Sequence, residues 1–546
     1  MAEAVELGGL QQLSPFQLKD ELIRSARDFS LGKSATHKFL DAGRGNPNWV
    51  ATTPREAFFT LGRFALSESK RVWDEPGLGG MPHAQGIAAR LRTYLSHAGR
   101  GEGAELLRQA LEYGTGTLGF DEDAFVHELA DGIIGDTYPV PDRMLRHAHA
   151  VVRRYLEKVM FAGRPPAGRL DLFAVEGGTA AMCYLFKSLL ANRLLHRGDT
   201  VALGTPIFTP YVELTHLEDF AFHTVEVVQS GTRDGFHTWQ YPAEEIEKLA
   251  DPRVKAFFLV NPSNPASFGM AAETQARIVE MVRTRRPDLI ILTDDVYGTF
   301  VEGFRSLAAD LPANTILVYS YSKHFGCTGW RLGVIGLHRD NVLDRRLAEL
   351  GYDDRSALHR RYEALTTNPD QLRFIDRVVA DSRDVALNHT AGLSPPQQVQ
   401  MTLFSLFALL DRDDAYQTRC RSIIHQRLES LARGLGISIP ADALRVGYYV
   451  DLDLAVWGRK SFGEEFVRYV EQHRAPIEVV LGLARRHGTV LLNGSGFNGP
   501  PWSVRISLAN LDADDYEVIG RDLRETMERA LEEWRRITST GGSPGT

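Results

Sequence analysis

The chain has 546 residues, of which 43% are hydrophobic and 24% are charged, proportions that are typical of a globular protein. Its net charge of −8 argues against a surface that binds the backbone of nucleic acid, and no apolar run reaches the ~18–20 residues that cross a bilayer. The three cysteines are too widely spaced for a metal site or a disulfide framework, and the N-terminus has no signal-peptide pattern. We therefore expect a cytoplasmic protein without nucleic-acid, membrane or metal partners.

The N-terminal part of the chain is predicted to be helical. Ser14 and Pro15 have the residue types of a helix start and predict a helix over 14–31. Helix-like stretches separated by glycine-rich breaks follow over 54–135. The segment GTGTLG at 114–119 fits the dinucleotide-binding pattern, but it follows the helix-like ELLRQALEY rather than a strand, so we interpret it as a loop.

Five short apolar runs follow, separated by helical patterns. This alternation predicts a parallel sheet covered by helices on both faces. Functional side chains in such sheets lie at the carboxyl ends of the strands, where each of these runs ends in polar or glycine residues. The runs are LDLFAVE (170–176), TVALGTP (200–206), VKAFFLVNP (254–262), LIILTDD (289–295) and NTILVYSYS (314–322).

The region from about residue 385 onward has a different pattern, which indicates a second and smaller α/β domain. A long helix is predicted from residue 395, followed by strands in LRVGYYVDLDL, TVLLNG and WSVRISLANL, and then by a final helix. The tail TSTGGSPGT has the composition of a disordered segment.

A chemically distinctive residue or turn follows each of the five apolar runs. Each has an ordinary structural explanation when taken alone: a glycine turn, a core aromatic, an Asn-Pro turn or a helix-capping acid. Together they provide an anion site, a stacking face, an acid, amide and phenol donors, and one lysine. A planar, phosphorylated pyridine aldehyde requires that set. In chain order they are EGGTAAM (176–182), Phe208, NPSNP (261–265), Asp294 with Tyr297, and Lys323.

Three motifs carry a resemblance to a known family. They are Ser320–Tyr321–Ser322–Lys323 with Arg331–Leu332–Gly333, the NPSNP segment at 261–265, and Asp294–Asp295–Val296–Tyr297. They resemble the aspartate aminotransferase family, which is fold type I of the enzymes that use pyridoxal 5'-phosphate (PLP). The resemblance runs from about residue 40 to 515. It implies an α/β fold whose large domain has a mostly parallel seven-stranded sheet covered by helices, with a smaller α/β domain from both chain ends.

The resemblance also implies a division of the chain into domains. The expected segments are an N-terminal part of the small domain with a pocket-crossing loop (1–53), a mainly helical insertion (54–135), the large PLP-binding domain (136–384), the C-terminal small domain (385–537) and a disordered tail (538–546).

The family implies cofactor-binding roles for the matching positions. Lys323 is expected to form the Schiff base with PLP and to shuttle protons. Asp294 is expected to pair with the pyridine nitrogen, while Tyr297 and Asn264 bind the ring oxygen and Phe208 stacks on the ring. The expected phosphate-binding residues are Gly178, Thr179, Ser320, Arg331 and Tyr138, the last of which resembles a tyrosine that reaches the phosphate across a dimer interface.

Two arginines are candidates for binding the substrate. Arg505, in VRISLAN, resembles the arginine that binds the α-carboxylate. Arg44 and the adjacent Gly45 are our candidates for the contact with a second carboxylate, and a solvated loop arginine is the alternative interpretation of Arg44. We interpret His324 and His389 as structural histidines.

The length of the chain, with LDAGRGNPNW at 40–49 and LNGSGFNGPPWSVRISLANL at 492–511, resembles the aspartate 4-decarboxylase subgroup. That resemblance implies PLP-dependent β-decarboxylation of L-aspartate to L-alanine and CO₂, with minor transamination. The alternatives are a plain aspartate or aromatic amino-acid aminotransferase with insertions, or a regulator that keeps the fold without chemistry. The implied assembly is a homodimer at least, and a dodecamer by analogy with the subgroup.

Overall fold

The computed structural model describes Leu13 and residues 15–32, 38–97, 101–138, 142–233, 236–387 and 392–539. Ser14, His389 and residues 540–546 of the predicted tail lie outside the described residues. None of the helices in the described part of the chain is both long and apolar enough to span a bilayer.

The strands in the described residues are numbered here in chain order. They are β1 (Leu40–Asp41), β2 (Leu170–Val175), β3 (Thr200–Thr205), β4 (His223–Val228), β5 (Ser230–Arg233), β6 (Phe236–Gln240), β7 (Val254–Val260), β8 (Ile290–Asp294), β9 (Thr315–Ser320), β10 (Gly333–His338), β11 (Tyr449–Asp453), β12 (Thr489–Val490), β13 (Leu492–Asn493) and β14 (Ser503–Ser507).

Helices account for most of the remaining regular structure. The α-helices are Pro15–Gly32, Thr52–Val72, Ile87–His97, Glu102–Gly116, Glu122–Ile134, Arg146–Met160, Gly178–Ala191, Thr209–His216, Ala243–Glu247, Ala272–Arg285, Leu307–Asp310, Val342–Ala348, Tyr352–Tyr362, Phe374–Ser382, Pro395–Leu410, Ala415–Leu435, Leu454–Phe462, Glu464–His473, Ile477–His487 and Ala513–Ser539. Short 3₁₀ helices are Lys248–Ala250, Gly298–Phe300, Thr328–Trp330, Pro369–Gln371 and Gly494–Phe497.

The largest sheet has seven strands in the order β2-β10-β9-β8-β7-β3-β4. β10 pairs antiparallel with β2 and β9, whereas β3 pairs in parallel with β4 and β7, and β8 pairs in parallel with β9. All residues of β2, β8 and β9 are buried, which explains their largely apolar sequences. The predicted α/β fold with a mostly parallel seven-stranded sheet is therefore confirmed.

The chain divides into two compact units. The lysine unit comprises Trp49–Asp199 and Pro287–Thr418. Its four helices between residues 52 and 134 share one hydrophobic core with the buried face of Pro395–Leu410. The GTGTLG segment forms the end of helix Glu102–Gly116 and the turn that follows, so it opens no helix after a strand.

The arginine unit comprises Met1–Asn48, Thr200–Arg286 and Arg419–Thr546. Its three-stranded antiparallel sheet has the order β11-β14-β13. Side chains alternate between the two faces of a strand, and Val504 and Ile506 of β14 lie in the hydrophobic core. The residue between them, Arg505, is therefore on the opposite face of this sheet.

Candidate active site

The structure brings most of the predicted cofactor-binding residues of the lysine unit together at strand ends. Asp294 is the last residue of β8, Lys323 lies in the loop after β9, and Gly178 begins the helix that follows β2. A Cβ atom on Gly178 would lie 3.8 Å from Ser320 Cβ and 3.9 Å from Asp294 Oδ2. We call this group the lysine cluster: Gly177, Gly178, Thr179, Asp294, Tyr297, Ser320, Lys323 and Arg331.

In the glycine turn of the lysine cluster, the conformation and surroundings of Gly177 disfavour a side chain. Gly177 has a φ of 92°, which is in the region that favours glycine, and a Cβ atom there would lie 2.3 Å from Arg331 Nη2. The Arg331 guanidinium donates to Glu176 O at 3.3 Å and to Thr328 O at 2.9 Å. The cation is thus held beside the N-terminus of a helix, where backbone N–H groups also attract an anion.

Two adjacent acids, Asp294 and Asp295, lie at the carboxyl end of β8, and the structure gives them different environments. Asp294 is buried, and its Oδ1 accepts the N–H of Val296 at 3.3 Å. Asp295 accepts a hydrogen bond from Thr293 Oγ1, and burial raises the pKa of Asp295 to about 7. Of the two, Asp294 is the one that lies beside Gly178.

The loop after Lys323 is held by residues that the sequence did not indicate. Arg55, in the first turn of helix Thr52–Val72, donates to Phe325 O at 3.2 Å and to Gly326 O at 2.7 Å. Trp49 Nε1 donates to His324 O at 3.2 Å, and a Cβ atom on Gly326 would lie only 1.9 Å from Trp49 O. The start of the N-terminal helical region therefore fixes the backbone of the lysine loop.

The remaining cofactor candidates lie in different surroundings. Tyr297 is buried just after β8, whereas the side chain of Tyr138 is 65% exposed. Phe208 is half-buried at the start of helix Thr209–His216, in the arginine unit, with its ring centroid 5.6 Å from that of Tyr211. Asn264, also in that unit, is buried.

The donor set of the lysine cluster fits PLP. A side-chain-free turn at a helix N-terminus, the Ser320 hydroxyl and the Arg331 guanidinium suit a phosphate group. The buried Asp294 carboxylate suits a protonated ring nitrogen, and Lys323 is a primary amine that condenses with an aldehyde.

A second group of residues surrounds Arg505 in the middle of β14. Arg505 is only 2% exposed; its Nη1 donates to Asn264 Oδ1 at 3.3 Å and its Nη2 to Gly43 O at 2.9 Å. Its Cζ lies over the rings of Tyr449 and Phe497, at 4.4 and 4.8 Å from their centroids. We call Arg505, Asn264, Gly43, Tyr449 and Phe497 the arginine cluster.

Among the described residues, no carboxylate is hydrogen-bonded to Arg505. Its hydrogen bonds go to one amide and one carbonyl oxygen, and its buried Nε has no hydrogen-bond partner among the residues that the structure describes. A buried guanidinium with an N–H group that makes no hydrogen bond favours an anionic ligand that can accept from it.

Arg44, the candidate for a second carboxylate, directly follows Gly43. Its side chain is 56% exposed, and its Nε lies 3.1 Å from Asp41 Oδ2. Lys19 Nζ lies 3.8 Å from the same oxygen. Burial lowers the pKa of Lys19; Asp41 opposes this change, and Arg44 and Arg505 add to it. No sequence pattern indicates that Lys19 lies near Asp41 and Arg44, because its helix has the pattern of an ordinary amphipathic segment.

Gly45, the neighbour of Arg44, takes part through its backbone. Its carbonyl accepts the hydroxyl of Tyr448 at 2.9 Å. This bond ties the segment that carries Arg44 to the residue before β11.

The chain matches the family model described as aminotransferase class I and II over residues 175–522. It is 47% identical, over 97% of its length, to a protein of Pseudomonas sp. described as a bifunctional aspartate aminotransferase and L-aspartate beta-decarboxylase, and the match spans 98% of that protein. It is 30% identical, over 32% of its length, to the aspartate aminotransferase of Rhizobium meliloti (strain 1021), of which the match spans 41%.

Solved structures agree on the fold. A double mutant of Thermus thermophilus aspartate aminotransferase superposes with a TM-score of 0.56 at 15% identity, covering 94% of this chain and 96% of that chain. The aromatic aminotransferase of Pyrococcus horikoshii OT3 gives a TM-score of 0.55 at 17% identity, covering 93% and 99%.

These findings confirm the predicted family, the enzyme class and the cofactor, and they exclude the interpretation as a regulator without chemistry. The chain belongs to the class I and II aminotransferases, which are PLP-dependent enzymes of fold type I.

Proposed function

We propose that the protein removes the β-carboxylate of L-aspartate to give L-alanine and CO₂, with transamination of aspartate as a minor reaction. The observation that carries this proposal is the pair of cationic positions in the arginine unit. Buried Arg505 suits one carboxylate, and Arg44 follows the glycine whose carbonyl binds Arg505. The nearly full-length similarity to the bifunctional Pseudomonas protein supports the same conclusion.

Arg505 is proposed to bind the α-carboxylate. Its planar guanidinium lies over two aromatic rings and is oriented by Asn264 and Gly43, so little freedom is lost when it makes two parallel hydrogen bonds to an anion. Asn264, whose side-chain oxygen accepts from Arg505, is proposed to donate to the ring oxygen of PLP through its side-chain amide group.

Arg44 is proposed to bind the β-carboxylate, and its hold is expected to be weak. The side chain is more than half exposed, and Asp41 competes for its charge. Loss of CO₂ removes the negative charge of the substrate carboxylate, so a strong bond to that group would favour the ground state over the transition state. The competition from Asp41 thus favours decarboxylation over tight retention of the substrate.

The residues of the lysine cluster are proposed to hold PLP. When bound, PLP supplies an electron-withdrawing ring that accepts the electron pair of a bond broken next to the substrate nitrogen. Gly178, Thr179, Ser320 and Arg331 bind its phosphate, and Tyr297 donates to its ring oxygen. In the arginine unit, Phe208 is proposed to stack on the ring.

Lys323 and Asp294 are proposed to control the protons. Lys323 Nζ carries the cofactor between turnovers, and it removes and returns the proton at Cα of the amino acid. The Asp294 carboxylate holds a proton on the ring nitrogen, because a buried anion favours the charged form of an adjacent base.

Product analysis tests the proposal. Purified holoenzyme is incubated with L-aspartate, and CO₂ and alanine are compared with oxaloacetate formed in the presence of an oxo-acid acceptor. We expect alanine and CO₂ in equal amounts and well above oxaloacetate. Formation of oxaloacetate without alanine would instead identify a plain aspartate aminotransferase. Turnover of aromatic amino acids but not of aspartate would identify an aromatic aminotransferase.

We propose that the active assembly is at least a homodimer in the cytoplasm, and a dodecamer built as a hexamer of dimers. The exposed phenol of Tyr138 supports a composite site, since the corresponding family tyrosine reaches the phosphate from a neighbouring subunit. Mixing Tyr138→Phe with Lys323→Ala subunits tests this: in a mixed dimer one site receives both substitutions and the other neither. A fully active monomer in sedimentation would contradict it.

A further inference from the structure

The sheet face that carries Arg505 also carries a buried acid that the proposed reaction does not use. In the antiparallel pair of β11 and β14, Asp451 is directly opposite Arg505, and Asp453 is opposite Ser503. Paired residues of antiparallel strands project to the same side of the sheet, and residues two apart do so as well. The two acids, Ser503 and Arg505 therefore share one face.

The carboxylate of Asp451 is buried without a hydrogen bond from the described residues. It is 7% exposed, and neither carboxylate oxygen has a hydrogen-bond partner within the described part of the chain. The nearby Ser503 hydroxyl donates instead to Pro500 O at 3.0 Å. A Cβ atom on Gly499 would lie 3.6 Å from Asp451 Oδ2, so the loop before β14 covers the acid.

The charged and polar groups that face Asp451 are few. Burial raises the pKa of Asp451 to about 7; Asp453 adds to the rise, while Ser503, His237 and Arg505 oppose it. His237, on β6, lies 2.9 Å from Asp453 Oδ2 through its Nε2. The covering loop, GSGFNG at 494–499, contributes no ionisable side chain.

We propose that Asp451 is the counter-charge of Arg505 in the free enzyme and takes up one proton from solvent when the substrate α-carboxylate binds to Arg505. This inference rests on the proposed role of Arg505. Asp451 acts through Arg505 and does not touch the reacting atoms.

The physical reason is that two carboxylates then compete for one guanidinium. In the free enzyme Arg505 favours the ionised form of Asp451, since an opposite charge nearby stabilises an anion. A bound carboxylate places a second negative charge beside the same cation in a water-poor site. Like charges in such a site do not both remain ionised, and the acid with the higher pKa accepts the proton.

The coupling predicts a particular pH dependence. Above pH 7 the free enzyme has Asp451 ionised, so binding consumes one proton, and affinity falls as pH rises by up to about tenfold per unit. Well below pH 7 the acid is already protonated and its contribution to the pH dependence disappears.

Calorimetry with succinate, a dicarboxylate without an amino group, tests the inference on the holoenzyme at pH 8. Titrations in phosphate and in Tris, which differ in ionisation enthalpy, give the number of protons taken up. Wild type should take up close to one proton more than Asp451→Asn, and its Kd should rise up to about tenfold more between pH 7 and 8. Asp453→Asn is the matched control on the same strand: it lowers the pKa of Asp451 but keeps that acid in place, so proton uptake at pH 8 should persist. Protons exchanged by the cofactor and Lys323 are common to all three proteins and cancel.

Equal proton numbers for wild type and Asp451→Asn would overturn the inference and leave the role of Arg505 intact. Unchanged succinate binding in Arg505→Ala would overturn both. If Asp451→Asn does not fold, infrared difference spectra of the wild type with ¹³C-carboxyl succinate replace it. A new protein carboxylic-acid carbonyl band on binding at pH 8 supports proton uptake, and its absence contradicts it.

Discussion

The lysine cluster and the arginine cluster are built in different ways. The lysine cluster is formed by short motifs at the ends of β2, β8 and β9 in one sheet, so the place of Gly178, Asp294 and Lys323 follows from the strand that each of them ends or follows. The arginine cluster joins distant segments: Arg505 bonds Gly43, 462 positions away, and Asn264, 241 positions away. Sequence motifs therefore predict the first cluster, whereas the second depends on contacts between distant segments, which no local sequence pattern predicts.

The largest expected effect comes from removing the centre of the lysine cluster. Lys323→Ala should lower both decarboxylation and transamination by at least about 10⁴-fold, because the covalent attachment and the proton carrier are lost together. Borohydride reduction of the wild type followed by peptide mapping should place the cofactor on Lys323. Labelling of another lysine would show that the strand-end interpretation is wrong.

The two acids at the carboxyl end of β8 allow a sharper test of the same cluster. Asp294→Ala should lower turnover about 10²- to 10⁴-fold, since an unprotonated ring is a poor electron acceptor. Asp295→Asn is the matched control and should stay within about tenfold of wild type, because Asp295 bonds Thr293. A large loss of turnover in Asp295→Asn with a small loss in Asp294→Ala would mean that Asp295, and not Asp294, pairs with the ring nitrogen.

The arginine cluster should respond through binding. Arg505→Ala should weaken binding of amino acids by roughly 2–5 kcal/mol, as for other buried charge pairs that lose one partner. Aspartate and alanine should be affected alike, as measured by KM and by half-transamination in pre-steady-state mixing. Arg505→Lys should restore only part of the loss, since an ammonium group does not make two parallel bonds. A loss of affinity for aspartate alone would mean that Arg505 binds the β-carboxylate instead.

Burial of Asp295 predicts a stability effect that depends on pH. The pKa of Asp295 is raised to about 7, so its contribution to stability is largest when the acid is protonated and declines as pH rises toward 7. The unfolding free energy of Asp295→Asn should therefore rise relative to that of the wild type by about 2–3 kcal/mol between pH 5 and pH 8. Urea unfolding of both proteins at the two pH values measures this, and the opposite sign would mean that the ionised acid is stabilised in the fold.

Arg44 should give the smallest effect and the clearest discrimination between substrates. Because it is exposed and paired with Asp41, Arg44→Ala should weaken aspartate binding by only about 1 kcal/mol and leave alanine unchanged. An equal loss for both substrates would mean that Arg44 shapes the site. Unchanged binding of both substrates would mean that Arg44 is a solvated loop residue.

The sequence predicted strands well where buried positions carry large apolar side chains and poorly elsewhere. β2, β8 and β9 were found from their apolar runs, whereas edge strand β4 is partly exposed along most of its length and gives no such run. β10 was missed because Gly333 and Gly336 interrupt its apolar pattern. The proposed domain boundaries stay predictions.

The same distinction applies to the candidate sites. Lys323, Asp294 and Arg331 stand in recognisable motifs, so their grouping was predictable from sequence. Lys19 and Asp451 look like ordinary surface residues in sequence, and only the packing of the arginine unit places them near Arg44 and Arg505.

Labelled substrate tests the central claim most directly. L-aspartate carrying ¹³C in its β-carboxylate is supplied without any oxo acid, and malate dehydrogenase with NADH is added to trap oxaloacetate. The account predicts ¹³CO₂ released in step with unlabelled alanine over many turnovers, with little malate. Label accumulating in malate, with alanine formed only when an oxo acid is supplied, would contradict it.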